Sequence, residues 1–405
     1  MKIVMTTSSF PRSSKDWAGV FVLSLARELV RRGHRVTVAA PHAPGLARRE
    51  VIDGVQVVRF RYMYPERLEA LAYGRGMVTN VRRRPWLFFL VPCFLAAQSL
   101  VLRSLVPDAD VVATHWLLPQ GMVARLCGIS SVVILHGSDV HLARGRVARF
   151  FARWTLSGAS AVVANSTATA HRAKEIARSV SVRIIPMGVE VERFSPPTDD
   201  SKKRPQRIGI APRIVSVGRL IPLKGYRYLI EAMGKIRSTF PDASLTLVGN
   251  GPERRELERL AETLGVGTAV TCTGEVGHFD VPGILWEHDL FILPAVITET
   301  GETEGLGTVM LEAMAAHLPV AASDVGGIPD IVEHETTGLL FPQRDPDAIA
   351  EAVIRLAGDD NLRDRIVEAA RKRVRERFFW PVIAEQYEEL FRIYGNEIET
   401  HESDR

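Results

Sequence analysis

Cysteine is scarce in this sequence, and the few cysteines are not arranged to bind metal. The chain of 405 residues has three, Cys93, Cys127 and Cys272. An odd number without a metal-ligand spacing argues against a disulfide framework and against a cysteine-based zinc site. Because all three lie in apolar or strand-like segments, we predict buried thiols in a protein of a reducing compartment.

A large charge excess and an N-terminal leader are also lacking. The 51 basic and 47 acidic side chains leave a formal net charge of +4, too small to indicate the phosphate-binding surface of a nucleic-acid-binding protein. Residues Met1–Thr7 form a short apolar run without the hydrophobic core and small-residue cleavage site of a signal peptide. We therefore expect a cytoplasmic protein with no nucleic-acid partner.

What the sequence does have is a regular alternation of short apolar runs and amphipathic stretches, which is typical of βα units around a parallel sheet. The predicted strands are residues 2–7, 36–40, 55–60, 110–114, 131–135 and 161–164 in one series, and 213–217, 244–248, 270–273, 290–293, 320–322 and 338–340 in another. The pattern predicts an α/β protein with two doubly wound domains of similar size. Their predicted bounds are 1–195 and 208–376, with a linker at 196–207, a last helix at 377–395 and a polar tail at 396–405.

The strongest chemical signal is the run Glu304–Met314, in which a glycine-containing turn leads into a helix. Gly305 and Gly307 allow the backbone to approach a ligand closely, and the free N–H groups of a helix start favour phosphate. Glu312 would accept hydrogen bonds from ribose hydroxyls, and Glu304 from sugar hydroxyls. The alternative is that these acids only complement the helix dipole.

A second candidate group follows the first strand of the second domain. Arg219 ends that strand, and Lys224 lies in the loop before the next helix. Arginine as a fork and lysine as a point charge can together hold a diphosphate. A charge positioned on a leaving nucleoside diphosphate lowers the barrier, and its removal commonly costs roughly 10²–10³-fold in rate. The alternative is a pair of solvated loop cations.

Two histidines follow predicted strands of the first domain. His136, with glycine next to it, is placed at a strand's carboxyl end, where ligands of parallel sheets bind. Asp139 lies just beyond it, and His115 belongs either to an acceptor site or to the buried structure. None of these residues forms a metal-ligand array, and the chain has no convincing Asp-x-Asp site, so we predict no metal and no other cofactor.

The connection at residues 8–19 is long for a βα unit, and long ordered loops are often functional. It contains Gly19 but no Gly-x-Gly-x-x-Gly fingerprint, which argues against a dinucleotide-dependent dehydrogenase. Gly19 either approaches a ligand with its backbone or simply starts the helix.

The stretch Arg82–Phe89 combines three consecutive arginines with Trp86 and Phe88, and it is followed by an uncharged run up to Arg103. This combination is open to three interpretations. It is a helix buried in or lying on the domain, an interfacial element that binds anionic lipid, or a membrane span, which the prolines disfavour.

Taken together, the motifs resemble those of the family 4 retaining glycosyltransferases. Glu304 and Glu312, with seven residues between them and with Glu304 opening the run Glu304-Gly305-Leu306-Gly307-Thr308, are similar to the family's nucleotide-sugar motif, which Pro319–Val332 and Gly338–Pro342 continue. The Gly-Arg…Lys-Gly element around Arg219 and Lys224, the His-Gly element at His136 and the turn containing Gly251 also resemble family elements. The departures are Leu306, where an aromatic residue is common, and Ala18, where many relatives have a glycine before Gly19.

The resemblance implies the GT-B fold, in which two Rossmann-like domains face each other across a cleft and the last helix crosses back to the first domain. It implies that the donor is held by Gly19, Arg219, Lys224, Gly251, Glu304, Gly305, Leu306, Gly307, Thr308 and Glu312. It places His136 beside the transferred sugar, where it would act with Glu304, Arg219 and Lys224. It also implies a front-face displacement in which the leaving phosphate helps to deprotonate the acceptor.

We therefore expect a retaining glycosyltransferase that uses a nucleotide-diphosphate-sugar, with a lipid-linked or polysaccharide acceptor of the cell surface. Arg82–Phe89 would bring it to an anionic membrane, so that the protein is cytoplasmic and peripheral on the inner face of the plasma membrane. The alternatives are a nucleotide-sugar 2-epimerase on the same fold and a non-catalytic nucleotide-sugar binder. The epimerase would need acid/base carboxylates around the sugar and no acceptor site. A degenerate binder would usually have lost its charged phosphate ligands.

Overall fold

The computed structural model describes residues 1–13, 16, 18–74, 76–143, 145–197 and 211–402, and it gives the backbone alone for Leu142 and residues 396–402. These residues divide into two compact units. The first comprises Met1–Pro186 together with the segment from Trp380 onward, and the second comprises Met187–Phe379. The chain thus returns to the first unit after completing the second.

The described part of the first unit is built on an eight-stranded sheet in the order β3-β4-β2-β1-β5-β6-β7-β8. Neighbouring strands run parallel except β3, which is antiparallel to β4. The strands are β1 Lys2–Thr6, β2 Arg35–Pro41, β3 Arg49–Ile52, β4 Val55–Phe60, β5 Val111–His115, β6 Val132–Leu135, β7 Ala161–Ala164 and β8 Val182–Ile184.

Helices cover both faces of this sheet. They are α1 Val20–Arg31, α2 Met77–Arg83, α3 Leu90–Leu105, α4 Met122–Leu126, α5 Ser138–Leu142, α6 Arg146–Ser157, α7 Thr167–Ile176 and, from the chain's end, α16 Trp380–Glu402. Successive strand residues point to opposite faces. Ile3, Val111 and Val132 pack in the cluster that contains α1 and α16 residues, whereas Val4 and Val112 face α3 and α4.

The described part of the second unit has a six-stranded parallel sheet in the order β11-β10-β9-β12-β13-β14. The strands are β9 Arg213–Val217, β10 Ser244–Val248, β11 Val270–Gly274, β12 Leu290–Leu293, β13 Val320–Ser323 and β14 Leu339–Phe341. The helices are α8 Val191–Phe194, α9 Tyr226–Thr239, α10 Arg254–Thr263, α11 Val281–Trp286, α12 Thr308–Ala315, α13 Ile328–Ile331, α14 Pro346–Gly358 and α15 Asp360–Arg373. Strands β12 and β13 are buried at every residue, as expected inside a parallel sheet.

All twelve predicted strands are present, and the predicted α/β class is confirmed. The two strands that were not predicted, β3 and β8, lie at the edges of their sheet. Edge strands can be short and contain charged residues, so they lack the apolar run by which a buried strand is predicted. The boundary between the first and the second unit lies after Pro186, whereas the sequence predicted it at 195. Residues 198–207 of the predicted linker lie outside the described residues.

Two predictions were wrong. Helix α16 runs on to Glu402 through most of the predicted polar tail, because polar residues such as Asn, Glu, Thr and His do not by their polarity alone end a helix. The predicted burial of the thiols also fails. Cys93 is exposed, and Cys127 and Cys272 are only partly buried. Cys93 lies on an apolar helix face that the described residues leave uncovered.

Candidate active site

In the second unit, two loops bring a lysine and a glutamate together. Lys224 ends a single 3-10 turn, Pro222–Lys224, after β9, and Glu304 lies in the connection from β12 to α12. Nζ of Lys224 is 2.6 Å from Oε2 of Glu304, and the two side chains are only 12% and 14% exposed. The backbone carbonyl of Glu304 also accepts a 3.0 Å hydrogen bond from the N–H of Gly327. The position of this carboxylate is therefore fixed from both sides.

Arg219 is close to Lys224 in sequence but differs from it in environment. Its side chain is exposed, and none of the described residues forms an ion pair with it. The segment is held by its neighbours, since Leu220 donates its N–H to the carbonyl of Asn250 at 3.0 Å. A Cβ built on Gly251 would lie 2.1 Å from the carbonyl oxygen of Leu220. Close packing against Leu220 thus explains why residue 251 is a glycine. The Arg219 guanidinium is left available to bind an anion.

The turn into α12 has the form expected of an anion site. Gly307 has φ 83° and a Cβ there would lie 2.7 Å from Cε of Met310, so only glycine fits without strain. Leu306 is 2% exposed and anchors the turn in the hydrophobic core. Among the described residues, no acceptor is hydrogen-bonded to the N–H groups of Thr308 and Val309. Such free amides at a helix start favour a phosphate.

Glu312 lies on the second turn of the same helix and is partly exposed. Burial raises the pKa of Glu312 to about 7, against the opposing effect of the Arg193 cation. A carboxyl group with this pKa is near its midpoint at neutral pH. It can therefore change protonation when a ligand binds.

In the first unit, a buried aspartate organises the predicted histidine. Oδ1 of Asp139 accepts the N–H of His136 at 3.1 Å, and Oδ2 accepts the N–H of Leu117 at 3.0 Å. Asp139 is 2% exposed, and burial raises its pKa while these hydrogen bonds lower it. Both oxygens are used inside the protein, so the structure shows Asp139 as a residue that positions His136.

His115 is brought into contact with His136. Nδ1 of His115 lies 3.1 Å from Nε2 of His136, and the rings stack with a 9° angle between their planes. Burial lowers the pKa of His115 to about 3. Burial, with His115 beside it, lowers the pKa of His136 well below its ordinary value. Both rings are therefore neutral at pH 7, and His136 can exchange hydrogen bonds but does not supply a positive charge.

Two aromatic residues that sequence analysis missed complete this cluster. The rings of Phe21 and Trp116 lie 4.7 Å and 4.9 Å from the His136 ring. Phe21 is in the first turn of α1, two residues after Gly19. A Cβ on Gly19, whose φ is 69°, would lie 2.1 Å from the carbonyl oxygen of Ser9. Gly19 thus has a structural role that sets the start of α1 and, through Phe21, the surroundings of His136.

The described residues include no group of three or more histidine, cysteine, aspartate or glutamate side chains that could hold a metal ion. Lys224, Glu304 and Arg219 are charged residues among the predicted site residues of the second unit. These residues come from the connections that follow β9 and β12, two adjacent parallel strands.

Two family models match the chain. The model described as Glycosyltransferase Family 4 covers residues 18–193, and that described as Glycosyl transferases group 1 covers residues 198–373. A relative from Mycobacterium tuberculosis, a GDP-mannose-dependent alpha-(1-6)-phosphatidylinositol monomannoside mannosyltransferase, is 31% identical over 408 residues. The alignment covers 96% of this chain and 98% of the relative.

Solved structures share the fold over nearly the whole length. The sucrose-phosphate synthase of Thermosynechococcus elongatus superposes with a TM-score of 0.79 at 24% identity, covering 96% of this chain and 98% of that chain. HepE of Anabaena, solved with UDP and glucose, gives a TM-score of 0.71 at 19% identity, covering 96% of this chain and 99% of that chain. At these identities the similarity concerns the fold.

Proposed function

The chain belongs to the family 4 glycosyltransferases and has the GT-B fold, and from this we propose that it is a retaining hexosyltransferase that uses a nucleotide-diphosphate-sugar. The observation that carries the proposal is the Lys224–Glu304 pair beside the turn of Gly307. A cation, a carboxylate and free helix amides together suit a diphosphate joined to a sugar.

In the proposed reaction, the bond from the sugar's anomeric carbon to the diphosphate oxygen breaks, and a bond to an acceptor hydroxyl forms on the same face. The acceptor's proton passes to the leaving diphosphate, which Arg219, Lys224 and the N–H groups of Thr308 and Val309 stabilise. Glu312 would accept from the ribose hydroxyls and Glu304 from the sugar. The neutral His136 would hydrogen-bond a sugar or acceptor hydroxyl.

GDP-mannose is the first donor to test, because the Mycobacterium tuberculosis relative is GDP-mannose-dependent by its description. That relative acts on a phosphatidylinositol mannoside, and we propose for this chain an acceptor that is lipid-linked or a polysaccharide of the cell surface. The protein would work in the cytoplasm, peripheral to the inner face of the plasma membrane.

The experiment is a thermal-shift and hydrolysis screen of the purified chain against GDP-mannose, UDP-glucose, ADP-glucose and related donors, with a chelator present throughout. We expect one donor to raise the melting temperature and to be hydrolysed slowly without added metal. The shift should disappear in Lys224→Ala and persist in Lys235→Ala, a control lysine of α9 that pairs with Asp347.

If no donor shifts the melt and none is hydrolysed, even with lipid extract added, the transferase proposal fails. If activity appears only after a metal ion is added back, the prediction that no metal is required is contradicted, but the transferase proposal is not. Once a product forms, the anomeric configuration measured by NMR tests retention, and an inverted product would exclude the front-face mechanism.

A further inference from the structure

Helix α3 has two apolar faces, and only one of them is covered. Leu90, Phe94 and Leu102 are at most 2% exposed and pack inside the unit. On the opposite side Leu100 is 71% exposed, and Pro92, Cys93 and Ala96 are exposed as well; Phe89, directly before the helix, is 79% exposed. A helix on the surface of a soluble domain normally turns polar side chains outward. The outer face of α3 therefore needs a partner.

Helix α6, which the sequence analysis did not single out, repeats this pattern. Val147 is 71% exposed and Phe150 is 64% exposed, beside the partly exposed Phe151. Arg146, Arg149 and Arg153 stand among them and are exposed as well. The inner side of the helix, with Ala152 and Leu156, packs in a core cluster.

Within the two sequence segments that contain these helices, the charged side chains have one sign. Residues 70–107 contain five arginines and no aspartate or glutamate, and residues 140–174 contain five arginines, one lysine and again no acid. In a chain whose basic and acidic totals are 51 and 47, two such segments in one unit create a local positive field. Exposed aromatic rings set among arginines are typical of surfaces that bind anionic membranes.

The two helices lie on the same side of the sheet. Leu102 of α3 shares a core cluster with Val123 and Ala124 of α4, and the Arg125 guanidinium of α4 stacks over the Trp154 ring of α6 at 4.4 Å. Leu126 of α4, between them, is 57% exposed.

The strand residues confirm this placement. Those beneath the three helices, such as Val4, Val112 and Val133, alternate with those that face α1 and α16. Together the outer sides of α3, α4 and α6 form one surface, which we call the arginine–aromatic face.

We propose that the arginine–aromatic face docks flat on an anionic bilayer, with the arginines at the lipid phosphates and the aromatic rings at the level of the head groups. This extends the membrane contact from the Arg82–Phe89 stretch to α4 and α6. It rests on the proposed function only for the claim that the acceptor is membrane-borne.

A spanning arrangement fits the contacts less well. Within the described residues, Pro85–Asp108 is the one helical stretch long and apolar enough to cross a membrane, with mean hydropathy 1.9. Its inner face, however, carries Gln98, which donates to Oγ1 of Thr6 on β1 at 3.1 Å. Insertion across the bilayer would remove Leu90, Phe94 and Gln98 from the sheet and expose the unit's core. Docking flat preserves these contacts.

The test is co-sedimentation of the full chain with vesicles of phosphatidylcholine alone or with about one third phosphatidylglycerol, at low and high salt. We expect binding to the anionic vesicles at low salt, and much weaker binding in high salt or to neutral vesicles. Phe150→Ser/Phe151→Ser and Phe88→Ser/Phe89→Ser should each weaken binding. Replacing Arg146, Arg149 and Arg153 by glutamine should weaken it about 100-fold, at roughly fivefold per arginine.

Controls of matched exposure are Val51→Ser, on β3 of the first unit, and Arg255→Gln, on α10 of the second. Both should bind vesicles as the parent does, and all variants should be folded at the assay temperature. If the α6 variants bind like the parent while the Phe88/Phe89 variant does not, the single-face proposal is overturned. It is also overturned if the parent protein binds none of the vesicles. The same holds if the parent forms a dimer without lipid and the substitutions in the arginine–aromatic face convert that dimer to monomer.

The failure of this inference can be told apart from that of the transferase. Slow donor hydrolysis in lipid-free buffer should be equal in the parent and in the α6 variants. A protein that hydrolyses its donor but ignores vesicles contradicts the membrane proposal alone.

Discussion

Nζ of Lys224 lies 2.6 Å from Oε2 of Glu304, so that the cation expected to hold the donor's phosphate is paired with the carboxylate expected to hold its sugar. Because both side chains are mostly buried, removing one charge would leave the other unpaired at a cost in the free energy of folding. Donor binding would then replace part of a pre-existing ion pair. The pair keeps both groups in place before the substrate arrives.

This relationship predicts different effects of single and double substitutions. Lys224→Met leaves Glu304 partly buried and unpaired, and should lower the free energy of unfolding by about 3 kcal/mol or less. Lys224→Met/Glu304→Gln should recover most of that stability and still bind donor poorly. Denaturant unfolding and donor titration of the three proteins measure the two effects separately. A double variant that regained donor affinity would show that the pair has a structural role only.

Donor affinity should depend on pH through Glu312. The pKa of this carboxyl is raised to about 7 by burial, so it is mostly protonated at pH 6 and mostly ionised at pH 8. If ribose hydroxyls require the carboxylate, donor affinity should rise by about tenfold between these two pH values. Glu312→Gln should bind weakly and lose this dependence. Calorimetric titrations at both pH values measure it, and a parent affinity that is flat with pH would contradict the assigned role.

Two glycines at the ends of α1 offer a matched pair of substitutions. Gly19 and Gly33 have φ of 69° and 89°, but a Cβ on Gly19 meets the Ser9 carbonyl at 2.1 Å while one on Gly33 meets nothing within 4 Å. Gly33→Ala should cost about 1 kcal/mol of stability from backbone strain. Gly19→Ala should cost clearly more and should disturb Phe21. Equal losses in denaturant unfolding would mean that the loop relaxes away from the added methyl group.

The sequence predicted what depends on local pattern. Apolar runs located the buried strands. The Arg219–Lys224 motif and Glu304 fall on the loops where βα units bind ligands, and Glu312 falls on the helix α12 that follows such a loop. It could not predict what depends on contacts distant in the chain. Nothing near His115 indicates that its ring stacks on His136, or that Arg125 joins α4 to Trp154 of α6. Hydrophobicity alone also gave the wrong environment for Cys93, because α3 is apolar on both sides.

The stacked histidines predict a positioning role for His115. It is 1% exposed, and one proton shared between its Nδ1 and Nε2 of His136 decides which nitrogen of His136 donates. His115→Leu should therefore lower kcat by about tenfold or more with little change in donor KM, whereas His115→Asn, which can still hydrogen-bond His136, should recover part of the rate.

Nitrogen NMR of the imidazoles gives a readout that a packing defect alone would not produce. With the pKa of His115 lowered to about 3, its ring should not titrate between pH 5 and 9 in the parent, and because the pKa of His136 is well below its ordinary value, that ring should stay neutral at pH 7 and above. Each should show one neutral tautomer, and His115→Leu should leave His136 with a mixture of both. The proton-sharing arrangement would be contradicted if His136 kept one tautomer in His115→Leu. It would also be contradicted if kcat fell as far in His115→Asn as in His115→Leu.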